Sequence, residues 1–356
     1  VKAVHFDAGL QVLGERSVPA LRLEGPPYLH LDVDAVIEFA AEAIVEFDRV
    51  RPVDAIVPCT HGSAMALLDG AGALALPVMS YLAPVPEDIV RAYHEIEPLF
   101  TEVLAPVNPG ALTVGRQLLW QEMHFPHDFR RVELILPYPQ YVAFRLCGTC
   151  AGEVTSLGAQ THLWAPRTGG FSSLARSRGW AELIAPIRRA DEVLGVARTL
   201  ALRGRGEVYC GIHDSNADFL SYLPLQPLVL LSSGTWIIAF DTGADLASIN
   251  PVRDQVANTT MSGAPIACAR FMGGEEHQRI AGMDNQAAPL LDVAGKLIAR
   301  GTMALPSFTD SGGPMPGSGG RGRIEGPLPD TDIERSSLAA LYTAQMTAIA
   351  LDGLGK

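Results

Sequence analysis

A chain of 356 residues, 48% hydrophobic and 19% charged, carries enough apolar side chain to bury one large core or two, which excludes a disordered or fibrous protein. Its 39 acidic residues against 27 basic ones leave a net charge of -12 with no Lys/Arg patch or arm, so non-specific nucleic-acid binding is excluded too. The five cysteines are too few and too scattered for a disulfide framework, which points to a reducing cytoplasm.

Residues 1–6 alternate in the β manner, reach Asp7-Ala-Gly9, and resume an extended pattern over 10–18, which predicts a β-hairpin. No Met begins this strand, and it reads as already under way. From Asp32, a plausible N-cap, apolar residues recur at helical spacing through Phe47, and residues 53–58 follow as a short strand. Pro86-Glu-Asp88 predicts a helix running to about Leu104, with Pro in its first turn. A mostly helical middle, 113–200, is broken at Pro126, Pro137, 166–170 and Gly179. Strands are expected at 207–211 and 228–240, each pausing at small polar residues. Prolines and polar residues interrupt the most apolar stretch, 222–240, so no membrane span is expected there, and residues 1–7 lack the basic flank and continuous apolar core of a signal peptide. The Gly-rich stretch 311–323 lacks P-loop order and predicts a mobile surface loop. A final helix, 334–354, has Leu338, Leu341, Tyr342, Met346, Ile349, Ala350 and Leu354 on one face.

Three segments can carry chemistry. Gly211-Ile-His-Asp-Ser-Asn-Ala217 follows a strand directly, so Asp214 stands where α/β proteins meet their ligands. It suits either a general base or a cap for the following helix, and the local sequence leaves both open. In Ser232-Ser-Gly-Thr-Trp236, Gly234 admits close backbone approach, and Ser233 and Thr235 can cradle phosphate oxygens; a plain Ser-Gly hairpin turn is the other reading. In Cys59-Thr-His-Gly62, His61 can donate to a hydroxyl, or it can be an ordinary packed histidine. Cys147-Gly-Thr-Cys150 has no second pair to complete a zinc site, and no metal-ligand set is expected.

In this order and at these separations, the three segments resemble the FGGY family of carbohydrate kinases, over most of the chain. Lys2-Ala-Val-His-Phe-Asp7 resembles a strand of the family's first ATP-binding hairpin, and Thr60-His-Gly62 with Leu68-Asp69 its first sugar-contact loop. Residues 139–148, 153–158, 161–164, Met272-Gly-Gly274 and 334–342 extend the resemblance. His213-Asp214 and Ser233-Gly-Thr-Trp236 look closest to the rhamnulokinase and fuculokinase branch, whose members phosphorylate ketoses.

The resemblance implies an α/β fold of two ribonuclease-H-like domains of the actin/hexokinase type, with sugar and ATP in the cleft between them. The domains are expected at 1–223, on the sugar side, and 224–356, on the nucleotide side. Asp214 would be the catalytic base, with His61, Gly62, His213, Ser215 and Arg270 at the sugar. Ser233, Gly234, Thr235 and Gln278 would hold ATP, accompanied by Mg2+. Arg270 occupies a position that is an Asn in that branch, and a long cation would read different hydroxyls. The family's Asp-x-Gly-Thr-Thr loop precedes its strand matching residues 2–7, and its Gly-rich adenosine motif follows the last helix. The expectation is that a longer protein supplies both.

The leading expectation is therefore ATP-dependent phosphorylation of a ketose or related sugar in the cytoplasm, with sugar and ATP as partners, no nucleic acid or membrane, and a homodimer left open. The alternative is a non-catalytic sugar-binding or regulatory protein on the kinase fold.

Overall fold

The computed structural model describes residues 1–20, 22–310 and 313–354. Ser311 and Gly312, which open the expected Gly-rich loop, lie outside the described residues. Internal contacts divide the chain into two compact units: Val1–Val103, Val107–Ser221 and Thr259–Pro265 in the first, and Leu104–Pro106, Tyr222–Asn258 and Ile266–Lys356 in the second.

The first unit begins with the expected antiparallel hairpin of β1 (Lys2–Phe6) and β2 (Val12–Ser17). The connecting turn is closed by Asp7, whose Oδ1 accepts from the N–H groups of Gly9 and Gln11. Helix α1 (Val33–Val50) starts at Asp32, whose Oδ1 accepts from Ala35 N at 3.1 Å, the cap that its sequence predicts. Beyond α1 the chain runs through β3 (Ala55–Ile56), β4 (Cys59–Thr60), the wholly buried β5 (Met65–Leu68) and β6 (Leu74–Leu76).

Helix α2 (Glu87–Ile96) is shorter than expected, with Pro86 at its N-cap. Pro98 disfavours helical geometry at Glu97, which turns extended (ψ 136), and only a separate helical turn, Phe100–Val103, follows.

The middle is less helical than its periodicity suggests. Helices α3 (Val114–His124), α4 (Tyr138–Cys147) and α5 (Val154–Leu157) are interleaved with strands β7 (Leu134–Pro137) and β8 (Val193–Val196). β9 (Glu207–Tyr209), β10 (Ile212–His213) and α6 (Asp214–Leu220) complete the unit. Sheet order is β6-β5-β7 and β8-β9-β3, and β10 pairs with β4. Side chains alternate across β5: Met65 and Leu67 enter one core with Leu118, Ile135 and Trp180, while Ala66 and Leu68 enter another with Leu136, Ala143 and Val208. A sheet buried on both faces in this way can hold neighbouring strand ends rigidly.

The second unit is built on a four-stranded sheet, order β11-β12-β14-β13, of β11 (Val229–Ser233), β12 (Ile237–Asp241), β13 (Gln255–Thr259) and β14 (Pro265–Phe271), whose end residues Thr259 and Pro265 count with the first unit. Helices α7 (Gly273–Ala281) and α8 (Leu291–Ala299), the hairpin β15 (Met303–Leu305) and β16 (Arg323–Glu325), and the long α9 (Asp332–Asp352) follow. Leu338, Tyr342, Met346, Ala350 and Leu354 are buried as their spacing predicts, with Leu338, Tyr342 and Met346 against Ile237, Phe271, Ile280 and Leu297; Leu341 and Ile349 are half-buried. The buried Glu276 ties this core together by accepting from Thr309 N, Thr309 Oγ1 and the Tyr342 hydroxyl. Among the described residues no helix is long and apolar enough to cross a membrane.

Candidate active site

In the first unit, the chain leaves β9 and bends at Gly211 before β10. Gly211 has φ +88, and a Cβ on it would lie 2.5 Å from Pro58 O, so only glycine lets β10 run this close to the strand beside it. The Gln140 side-chain amide holds the bend by donating to the carbonyls of Cys210 and Gly211, each at 3.1 Å. β10 then pairs in parallel with β4, Thr60 opposite His213. Both strands end on the same edge. That brings His61, Gly62, His213, Asp214 and Ser215 together at the carboxyl ends of parallel strands, where ligands of α/β proteins bind.

His213 is buried, and its Nδ1 donates to Asn216 Oδ1 at 2.8 Å. Asn216 is in turn oriented by donating from Nδ2 to Thr259 O at 2.7 Å. A Cβ on Gly62 would stand 3.0 Å from His213 Nε2, so Gly62 leaves the imidazole the room it occupies.

Asp214 does not stand at the N-cap of α6, although its carboxylate takes an N–H of the first turn. His213 is the N-cap of α6, and Asp214 is its first helical residue. Its Oδ1 accepts from Ser215 N at 2.7 Å and Ser215 Oγ at 3.4 Å and lies 3.3 Å from His213 Nε2. Oδ2 has no partner among the described residues, and the side chain is 52% exposed. An open carboxylate oxygen with its twin held in place is what proton abstraction requires.

His61 is half-buried between Tyr81 and Tyr138, ring centroids 5.2 and 5.5 Å away, and its Nδ1 donates to Gly62 O at 2.6 Å. Burial pushes its imidazole below the usual 6.5, against the Gly62 carbonyl and the Asp214 charge, which favour the protonated form. Folding therefore favours neutral His61. The stability this contributes is fully present above about pH 6.5 and is lost as pH falls through the lower folded value. Urea melts of the chain and of His61→Gln are expected to differ most at neutral pH, the gap narrowing on acidification below 6.5; a gap independent of pH would contradict a buried, neutral His61.

The second unit contains the other expected residues. Ser233, Gly234 and Thr235 are exposed in the turn between β11 and β12, closed by Gly234 N donating to Trp236 O at 3.0 Å. The start of α7 lies against this turn, with Gly274 N donating to Thr235 O at 3.1 Å. Gln278 is exposed on the same helix. Arg270, expected at the sugar, is engaged inside its own unit: its Nε donates to Asp254 Oδ1 at 2.9 Å, and its guanidinium stacks 5.3 Å from the Trp236 ring.

Sequence reasoning missed Asn216 as the orienter of His213, although the i,i+3 spacing across a helix start marks such a pair. It also missed Asp254, sixteen residues from Arg270, for which no local signal exists. Nor does the sequence around Gly274 reveal why a glycine stands there, which is its contact with a turn about forty residues away.

Two compact α/β units are the architecture of the two-domain actin/hexokinase-like fold. Residues 225–356 match the C-terminal domain of the FGGY carbohydrate kinases. A carbohydrate kinase from Novosphingobium aromaticivorans is 31% identical, with a TM-score of 0.90 over 99% of this chain and 80% of that one. Xylulose kinase from Lactobacillus acidophilus shares the fold at 15% identity and TM-score 0.77, over 99% of this chain and 76% of that one. Gluconate kinase from the same organism does so at 15% and 0.77, over 99% and 75%. No curated protein matches the chain. The chain belongs to the FGGY carbohydrate kinases, enzymes that phosphorylate sugars at the expense of ATP.

Proposed function

We propose that this kinase phosphorylates a ketose or related sugar, with Asp214 as the general base. The observation that carries the reading is Asp214 Oδ2, free of partners among the described residues and set beside His61, Gly62, His213 and Ser215. In this reading, Oδ2 accepts the proton of a sugar hydroxyl as that oxygen bonds to the γ-phosphorus of ATP; the bond from phosphorus to the β,γ-bridging oxygen breaks, and ADP leaves. His61, whose Nδ1 is held by Gly62 O, and Ser215 would orient the sugar, while Gly62 and His213 would shape the wall beside the reacting oxygen.

Ser233, Gly234 and Thr235 would take phosphate oxygens on their hydroxyls and N–H groups, beside the positive end of α7, with Gln278 on that helix reaching the nucleotide. Arg270 is better suited to bracing Trp236 than to touching sugar, because Asp254 already holds its Nε. A magnesium ion carried on nucleotide phosphates would be held mainly by phosphate oxygens and water, which leaves Asp214 Oδ2 to take the proton. Bound there, the ion would draw charge from the transferring phosphoryl group. The domain limits proposed are 1–223 and 224–356, and the cytoplasm, where ATP and free thiols coexist, is the proposed compartment.

The rhamnulokinase and fuculokinase branch is the proposed subgroup, supported by His213-Asp214 and Ser233-Gly-Thr-Trp236. ADP release measured across ketoses derived from deoxysugars, pentuloses and sugar acids tests it. A kcat/KM at least about tenfold higher for a deoxyketose than for a pentulose or an aldonate is expected, since one missing methyl or methylene in a shaped pocket costs about 10–200-fold. Preference for xylulose or gluconate would overturn the subgroup.

A further inference from the structure

β10 is two residues long, and among the described residues β4 flanks it on one side only. Ile212 N donates toward that side, to Pro58 O at 3.0 Å. Successive N–H groups in a strand point to opposite edges, so His213 N faces away, where no strand among the described residues is paired with it. Its proton goes instead to the side chain of Thr155, whose Oγ1 lies 3.2 Å away.

A hydroxyl that accepts one bond is free to donate its own proton, and Thr155 Oγ1 donates to Glu153 Oε2 at 2.6 Å. Glu153 is fully buried, at 0% exposure. Its carboxylate also accepts from Thr155 N at 2.9 Å, Ser156 N at 3.1 Å and Ser156 Oγ at 3.3 Å. These four bonds cap α5, lock the carboxylate, and so fix the direction in which the Thr155 hydroxyl can point. The N–H held at the other end of this relay is that of His213, the residue immediately before Asp214.

We infer that Glu153, acting through the Thr155 hydroxyl, is a positioning residue that sets the backbone from which Asp214 projects. The relay replaces the missing neighbouring strand with a side-chain hydrogen bond of fixed direction. It aims the carboxylate at the sugar hydroxyl without touching sugar or nucleotide. The inference rests on Asp214 being the base.

Thr155→Val keeps the shape of the side chain and removes the acceptor of His213 N. Because misplacing a reacting group by about 1 Å costs about a hundredfold in rate, kcat is expected to fall by between about ten- and a hundredfold. The KM values for sugar and ATP should stay within about twofold, since no binding contact is lost. Thr155→Ser, which keeps the hydroxyl, is expected to restore most of kcat. Activity is counted per sugar-binding molecule, by calorimetric titration, so partial unfolding does not pass for a slower turnover. Should Thr155→Val not fold, Thr155→Ala against Thr155→Ser makes the same comparison. A kcat unchanged in the Val or Ala variant, or a Ser variant as slow as either, would overturn the inference. Asp214→Asn is assayed in parallel: if it keeps kcat, the base assignment fails. If it loses kcat while Thr155→Val does not, only the positioning role fails.

Discussion

Asp214→Asn is expected to lower kcat by about 10²–10⁴-fold, the range that a general base contributes, while leaving the KM values for sugar and ATP within a few-fold. The substitution is nearly isosteric. The amide oxygen can still accept from Ser215 N, as Oδ1 does at 2.7 Å, so the start of α6 should persist. What disappears is the capacity of Oδ2 to take a proton. Neither neighbouring histidine can easily replace it. His213 donates from Nδ1 to Asn216, and its Nε2 faces Asp214 itself. His61 donates from Nδ1 to Gly62 O and is flanked by two tyrosine rings. ADP release followed at saturating sugar and ATP reads kcat directly. A variant that retained more than about a tenth of the rate would remove Asp214 from the proton transfer, because the smallest effect of losing a true base is about a hundredfold.

How much of this was legible beforehand follows from how local each feature is. The hairpin of residues 2–17, the Asp32 cap, the turn at Gly234 and the buried stripe of α9 are decided by neighbours within a few residues, and each lies where composition and spacing put it. The break after Ile96 is also local, since Pro98 restrains Glu97, but the helical run on either side concealed it. β4 and β10 have two residues each, too few to carry a period, and their partnership joins positions about 150 residues apart. So His61, Gly62, His213 and Asp214 could be named as candidates from the sequence, while their meeting at one edge could not. The partner of Arg270 was hidden for the same reason. An ion pair across a sheet has no signature in either segment, and Asp254 captures a charge that was expected to reach a sugar.

Gly274→Ala is expected to damage the second unit at the turn proposed to hold phosphate. A Cβ at this position would stand 2.1 Å from Gly234 O and 3.0 Å from Thr235 Cα, distances that backbone atoms must move to relieve. Neither side gives way cheaply. The turn is fixed by the β11–β12 ladder from Val229↔Asp241 to Ser233↔Ile237, and the helix start is wedged by Gly273 against Ile237 and Phe271. Overpacking of this kind costs about 1–3 kcal/mol. Displacing the turn should also raise the ATP KM, by about tenfold for the loss of about 1.4 kcal/mol of phosphate contacts, with the sugar KM unchanged. Gly295→Ala is the control. It lies within α8 with nothing inside 4 Å of the added methyl, so it should be neutral or stabilising by up to about 1 kcal/mol. Thermal melts and separate titrations of the two substrates distinguish the outcomes. If Gly274→Ala lowers the melting temperature and leaves the ATP KM where it was, the Ser233-Gly234-Thr235 turn is a structural hairpin and the nucleotide phosphates bind elsewhere.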